Sequence, residues 1–289
     1  MNLEGILRLD TVRKAVIPVA GLGTRLLSVT KEQPKEMLPV FTKDSNRALC
    51  LKPLVQLIFE QLYSFGLRNF CFIVGRAKRA IEDHFTPDYQ FIKSLNDRGK
   101  GSQAVKLESF YRMVETSTIV WVNQPEPKGF GDAVLQARTF IGDEPFLVAA
   151  GDTYIISKDF IERMINVFSN RNPLAVLLLQ KVSNPRDYGV AVTDGRRVTH
   201  VIEKPDKPPS DLAIMPFYIF KPIIFQKLSE VKPGVGGEIQ LTDAIERLIE
   251  VGEVEAVKLR GGELRLDIGA PETYWMALKK SYEYSIRGI

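Results

Sequence analysis

Gly21-Leu22-Gly23-Thr24-Arg25 ends an apolar run, Ala15–Ala20, and Lys35 follows Pro34 a short way downstream. Glycines let backbone N–H groups approach anionic oxygens, and Arg25 and Lys35 add positive charge, so the segment suits a phosphate chain. The third glycine of a dinucleotide fingerprint would fall at Leu26, and no Gly-Lys-Ser/Thr follows, so neither a dinucleotide loop nor a Walker A loop fits. Alone, a Gly-x-Gly after a strand forms a plain tight turn; the two cations favour phosphate. A second candidate is Asp152, which closes another apolar run, Pro145–Ala150. A carboxylate there serves either as a turn former or as a hard oxygen ligand.

These groups need a scaffold. The chain's 289 residues, 45% hydrophobic, allow one large domain or two small ones with ample core. A formal net charge of +4 is a mild excess, and no Lys/Arg run interleaves with aromatics, so nucleic-acid binding is not indicated. The two cysteines, Cys50 and Cys71, lack metal-ligand spacing and fit a reducing cytosol. With only His84 and His200, a poly-His metal centre is excluded. Charges at Arg8, Asp10, Arg13 and Lys14 interrupt any signal-peptide core, and no stretch approaches the length of a membrane span.

Periodicity predicts strands at Lys14–Ala20, Asn69–Val74, Ile119–Val122, Pro145–Ala150 and Leu174–Val182, alternating with helices at Pro53–Phe65, Arg79–Phe85, Gly131–Phe140 and Asp159–Phe168. Residues 87–117 read as two helical segments around a turn. Asp194-Gly195 marks a hairpin between Gly189–Thr193 and Arg197–Glu203. Ala213–Phe220 reads as a strand that Pro216 weakens or pushes to an edge. Thr242–Val251 is helical, with Thr242 or Asp243 as its cap, and Val254–Leu259 and Arg265–Ile268 are strands. Pro271–Tyr284 is a final helix. The alternation argues for an α/β, Rossmann-like, doubly wound mixed sheet with an added hairpin-containing half. We read one domain: a nucleotide-binding half about 14–152, a sugar-binding half about 153–270 and a C-terminal helix about 271–284. Ligands of such sheets sit at the carboxyl ends of strands, where Gly21–Arg25 and Asp152 both fall.

Ala20–Arg25, Pro34–Val40, Gln124–Val134, Glu203-Lys204-Pro205 and Gly236–Ile245, taken together and in this order, resemble the bacterial and archaeal UTP–glucose-1-phosphate uridylyltransferases, within the sugar-phosphate nucleotidyltransferases. Ile81–Phe85 strengthens the match, which runs from Lys14 to the final helix. The resemblance implies that UTP and glucose 1-phosphate give UDP-glucose and pyrophosphate, the sugar phosphate attacking the α-phosphorus directly. The residues agree: no Ser-His-Asp pattern or activated cysteine offers a nucleophile, and phosphoryl-type transfer rests on positioning and charge neutralisation.

The same resemblance implies roles. Ala20, Gly21, Gly23 and Thr24 form the nucleotide loop, and Arg25 and Lys35 neutralise the phosphates. Gln124 reads the uracil edge, for which an amide that both donates and accepts is apt, and Gly129 lets the base approach. Asp152 and Asp267 are ligands of Mg²⁺; Asp267 reads equally as a turn former. Gly189 and Glu203 bind the sugar, and Lys204 its phosphate. Glu238 and Asp243 are capping or structural residues. A cytoplasmic homodimer or homotetramer is implied, the final helix serving either an interface or its own domain. The chain departs from the family at Met215-Pro216-Phe217-Tyr218, Leu266-Asp267-Ile268-Gly269 and Gly151-Asp152-Thr153, which leaves open dTTP or another sugar 1-phosphate with the same chemistry. A catalytically silent nucleotide-binding regulator is the reading from another class; the joint presence of Arg25, Lys35, Asp152, Lys204 and Asp267 argues against it.

Overall fold

The computed structural model describes residues 11–44 and 46–287. Its strands are β1 (Lys14–Pro18), β2 (Pro39–Lys43), β3 (Leu49–Pro53), β4 (Asn69–Val74), β5 (Thr118–Asn123), β6 (Phe146–Ala149), β7 (Thr153–Ile156), β8 (Ala175–Lys181), β9 (Gly189–Asp194), β10 (Arg197–Glu203), β11 (Leu212–Phe220), β12 (Val254–Lys258) and β13 (Leu264–Asp267). The α-helices are α1 (Leu54–Ser64), α2 (Arg79–His84), α3 (Tyr89–Asp97), α4 (Gly101–Glu115), α5 (Phe130–Gln136), α6 (Arg138–Ile141), α7 (Phe160–Arg171), α8 (Ile223–Glu230), α9 (Leu241–Ile249) and α10 (Pro271–Arg287).

One sheet, in the order β5-β4-β1-β6-β11-β8-β12-β10-β9, runs through both halves of the chain. β5, β4, β1 and β6 are mutually parallel, so the loops that follow them open at the same edge. Strands buried on both faces read as continuous apolar runs, which is why β1, β4 and β6 were legible. On β1, Ala15 and Ile17 point into one apolar layer and Val16 into the other. The first layer is closed by α1, α4, α7 and α10, through residues such as Phe59, Phe110, Phe160 and Ala277. The second is closed by α5, α6, α8 and α9, through Val134, Ile141, Phe225 and Ile245. Cys71 lies in the second layer, and burial pushes its thiol up to about 12, as befits a core residue. His84 is packed against Phe85 and Phe110 with Nε2 2.9 Å from Gln56 Oε1; burial pushes it down to about 4, leaving it neutral at physiological pH.

The structure corrects several expectations. β11 is an interior strand, antiparallel to both β6 and β8, despite Pro216. The register with β8 shifts between Met215 and Tyr218, so the missing proline N–H falls at a bulge where the ladder is already interrupted. The Pro216 carbonyl still accepts from Ala150 N at 3.0 Å. The helix expected over Gly131–Phe140 is divided into α5 and α6 at Ala137. Neither Thr242 nor Asp243 caps α9: the cap position is Gln240, with no side-chain cap bond, and Thr242 is turned toward Glu203 instead. The short pairs β2–β3 and β7–β13 lie outside the main sheet.

Candidate active site

From β1 the chain steps outward to β4 and β5 and then returns past β1 to β6, which makes the β1/β6 boundary the switch point of the sheet. A cleft of about 400 Å³ opens there. It is lined by Ala20, Gly21, Gly23, Thr24, Arg25, Lys35, Gln124, Gly129 and Asp152, so the expected nucleotide loop, both cations, the base-reading positions and the first carboxylate converge. Glu36, Phe130, Glu238 and Gly269 complete much of the wall.

The loop after β1 has a fixed shape. Gly23 sits at φ 68°, in the left-handed region that favours glycine. Its carbonyl accepts from Thr30 Oγ1 at 2.8 Å and from Leu26 N at 2.9 Å, and Leu26 is buried beneath it. Gly151 is demanded by proximity: a Cβ there would stand 2.4 Å from Val19 Cγ1. The small residue lets the ends of β1 and β6 close together, setting Asp152 beside the loop.

Lys35 Nζ donates to Asp152 Oδ2 at 2.5 Å, joining positions far apart in sequence. Burial opposes charge on Lys35, but Asp152, Glu36 and Asp267 together hold its ammonium above the usual lysine range. Burial likewise resists ionisation of Asp152, yet Lys35 outweighs it and holds the carboxyl below the usual range. Behind this pair lies another. Lys78 Nζ donates to Glu36 Oε2 at 2.8 Å, with side chains 6% and 2% exposed. Burial pushes the Glu36 carboxyl up, and Lys78 and Lys35 offset this only in part. Neither Glu36 nor Lys78 was singled out from sequence, although Glu36 lies inside the Pro34–Val40 motif.

β13 runs antiparallel to β7 with Asp267 opposite Thr153, which brings the second carboxylate to the strand end beside Asp152. Ile268 N donates to the Asp152 carbonyl at 3.2 Å. Asp267 Oδ1 accepts from Gly269 N at 2.7 Å and from Thr273 Oγ1 at 3.2 Å. These bonds make Asp267 a turn former as well, so the two sequence readings of it are compatible. Arg25 reaches the same corner: a Cβ at Gly269 would be 3.5 Å from its Nη2 and 2.9 Å from Asp267 Oδ1. Among the described residues no group of three or more His, Cys, Asp or Glu side chains is placed to hold a metal. Nucleotidyl transferases are generally assisted by a divalent metal. Two carboxylates at neighbouring strand ends suit a hard cation that takes its remaining oxygens from water and phosphate.

At the other end of the cleft, Gln124 follows β5 and is 6% exposed. Its Nε2 donates to Asp132 Oδ2 at 2.7 Å and to the Gly129 carbonyl at 3.2 Å. Gly129 has φ 103°, and a Cβ there would meet Glu238 Cβ at 2.7 Å. Ile239 N donates to Lys128 O and Gly131 N to Ile239 O, at 2.8 and 2.9 Å. The Gly236–Ile245 motif thus braces the loop that carries Gly129 through the backbone of Ile239.

Gly189, Glu203 and Lys204 gather separately and do not line the cleft. Gly189 pairs with Glu203 across the β9–β10 ladder. A Cβ on Gly189 would stand 3.0 Å from both Glu203 Oε2 and Thr242 Oγ1. Thr242 Oγ1 donates to that Glu203 oxygen at 2.6 Å, a contact that sequence reading missed by making Thr242 a cap. Lys204 adopts φ 41°, unusual for a residue with a side chain, while its N–H donates to Tyr188 O at 3.0 Å. Arg265, next to Leu266 on β13, donates to Tyr188 Oη at 2.6 Å and lies over its ring at 4.8 Å, tying the Asp267 strand to this second group.

Comparison with known proteins identifies the family. Residues 14–283 match the nucleotidyl transferase family. A UTP–glucose-1-phosphate uridylyltransferase of Bacillus subtilis is 39% identical over 267 residues, 89% of this chain and 87% of that protein. A crystal structure of a UDP-glucose pyrophosphorylase complexed with UDP-glucose superimposes with a TM-score of 0.79 at 31% identity, covering 94% of this chain and 99% of that one. UTP-bound UDP-glucose pyrophosphorylase from Acinetobacter baumannii gives a TM-score of 0.81 at 26% identity, covering 94% of each chain. With the motifs gathered at the switch point of the sheet and the likeness extending over nearly the whole chain, the protein belongs to the nucleotidyl transferases, in the family of the UTP–glucose-1-phosphate uridylyltransferases.

Proposed function

We propose that this chain transfers a uridylyl group from UTP to glucose 1-phosphate, releasing UDP-glucose and pyrophosphate. The observation that carries this is the convergence of the Gly21–Arg25 loop, Lys35, Gln124 and Asp152 on one cleft. The bond from the α-phosphorus to the leaving pyrophosphate breaks as an oxygen of the sugar phosphate bonds to that phosphorus. Nothing needs to attach to the protein, so its work is alignment and charge compensation.

Position supports a role for each residue. The Ala20–Thr24 backbone faces the triphosphate, with Arg25 at the corner where pyrophosphate leaves. Lys35, which donates to Asp152, neutralises the phosphates. Gln124 and Gly129 hold the uracil. Gly189 and Glu203 hold the sugar, and Lys204 its phosphate. Asp152 and Asp267 would hold Mg²⁺, which when bound screens the two phosphates from each other and stabilises developing charge. Among the described residues no helix is long and apolar enough to cross a membrane, and we place the enzyme in the cytoplasm. Phe41, Trp275, Tyr282 and Ile286 form an apolar groove along α10, which we assign to self-association as a homodimer or homotetramer.

Pyrophosphate release, measured over a matrix of nucleoside triphosphates and sugar 1-phosphates with Mg²⁺, tests the proposal. UTP with glucose 1-phosphate should turn over fastest. Faster turnover with dTTP or another sugar phosphate would reassign the substrates, and no turnover with any pair would end the enzyme reading.

A further inference from the structure

The bare presence of Gln124 does not fix what the base pocket reads, because a primary amide turned by half a circle exchanges its donor for its acceptor. In this structure the choice is made by a neighbour. Asp132, on the first turn of α5, accepts from Gln124 Nε2 at 2.7 Å, and the Gly129 carbonyl accepts from the same nitrogen at 3.2 Å. The turned amide would set its oxygen against a carboxylate oxygen and a carbonyl oxygen, leaving acceptors opposed in a buried place. Asp132 is itself steadied by Gln136 Nε2, which donates to its Oδ1 at 3.3 Å. Both N–H groups of Gln124 face protein acceptors. Its Oε1 makes no hydrogen bond among the described residues, although the side chain lines the cleft.

We infer that Asp132 is a specificity-determining positioning residue: by holding the Gln124 amide it leaves only that side chain's Oε1 acceptor for the base, so that Gln124 selects a base with a ring N–H and rejects one with a ring lone pair at the same place. This rests on the uridylyltransferase reading above and deepens it. Uracil and thymine offer an imide N–H at N3. Cytosine offers a lone pair there, and two acceptors would then face each other. Asp132 touches no substrate in this account and acts only through Gln124.

The test is the ratio of dissociation constants for UTP and CTP, read by calorimetry on the full chain, which does not depend on turnover. The wild type should prefer UTP by at least about tenfold, the effect of one well-placed hydrogen bond. Asp132→Leu should reduce that preference to within about threefold, because the amide is then held only by its longer bond to the Gly129 carbonyl, at 3.2 Å, and can turn. Asp132→Asn should retain it, since its oxygen can still accept from Nε2 while Gln136 turns. Asp132→Ala serves as a second release variant, and a thermal melt on each identifies a chain that does not fold. The KM for glucose 1-phosphate should not move in any of them. An unchanged preference in a folded Leu or Ala variant overturns the inference, as does equal loss in the Asn variant or a wild type that binds CTP as well as UTP. Failure of pyrophosphate release from UTP, by contrast, would refute the uridylyltransferase reading and leave this binding ratio to judge Asp132 independently.

Discussion

Around Lys35 two ion pairs, Lys35–Asp152 and Glu36–Lys78, are mostly covered, whereas at Lys204 the cation stands half in solvent. The Lys35 side chain is 13% exposed and 2.5 Å from Asp152; that of Lys204 is 49% exposed and 3.6 Å from Glu203. The first end is set by the junction of parallel strands β1 and β6, backed by the Glu36–Lys78 pair. The second hangs on the β9–β10 hairpin and is shaped by one hydroxyl, Thr242, and one unusual backbone angle at Lys204. The end proposed for the nucleotide is therefore preformed, its cation held in place by a carboxylate. The end proposed for the sugar positions a hydrogen-bonding carboxylate, with its cation half exposed and only loosely paired.

The comparison can be broken at several points, beginning with the largest effect. Removing one partner of the buried Glu36–Lys78 pair, by Glu36→Leu or Lys78→Met, should cost about 3–5 kcal/mol of unfolding free energy in denaturant titrations, because it strands a buried charge. The double variant should recover much of that loss. Costs below about 1 kcal/mol for both single variants would show that this pair does not brace the nucleotide end.

Next in size is the Lys35–Asp152 pair. Lys35→Ala or Asp152→Asn should lower kcat by about 10²–10³, as removal of one preorganised electrostatic group does elsewhere, while thermal melts stay cooperative. The pH dependence has a definite sign. Asp152 is held below the usual carboxylate range, so its contribution is present above about pH 4 and is lost as pH falls through the lower folded value. Lys35 is held above the usual lysine range, so its contribution is complete below about pH 10 and is lost only as pH rises through the raised value. The stability difference between wild type and Asp152→Asn should accordingly be flat from about pH 4 to 10 and shrink below it. A titration of that difference near neutrality would mean the pair is not ionised as described.

The smallest effect belongs to the sugar end. Thr242→Val keeps the shape and removes the hydroxyl that orients Glu203. Loss of a hydrogen bond to a charged group, about 1.5–3 kcal/mol when fully expressed, should appear mainly as a raised KM for glucose 1-phosphate. An unaltered KM would detach Thr242, and with it the orientation of Glu203, from sugar binding.

Much of this was legible in the chain itself. β1, β4 and β6 announce themselves because strands covered on both faces must be apolar throughout. The hairpin announces itself at Asp194-Gly195, although the turn is made by Gly195-Arg196. β2, β3 and β7 escaped because they are short and, unlike β1, β4 and β6, are not apolar throughout. Pro216 misled because its penalty depends on whether a ladder bond is needed at that point, and a bulge removes the need. The motifs located the candidate site residues, and two of them even contain Asp132 and Thr242, but they do not show which partner holds which: Asp132 behind Gln124, Lys78 behind Glu36, Thr242 behind Glu203. Each such contact joins segments on different elements, and each supporting residue is of an ordinary polar type that would suit a helix surface equally well. Local pattern carries no trace of which acceptor a buried amide has found.

The division into a nucleotide end and a sugar end is tested most directly by calorimetric titration of UTP into wild type, Gln124→Leu and Glu203→Gln without sugar phosphate. UTP binding should weaken at least about tenfold in Gln124→Leu and stay at the wild-type value in Glu203→Gln. Equal weakening in the two variants, or loss in Glu203→Gln alone, would contradict the assignment of the two ends.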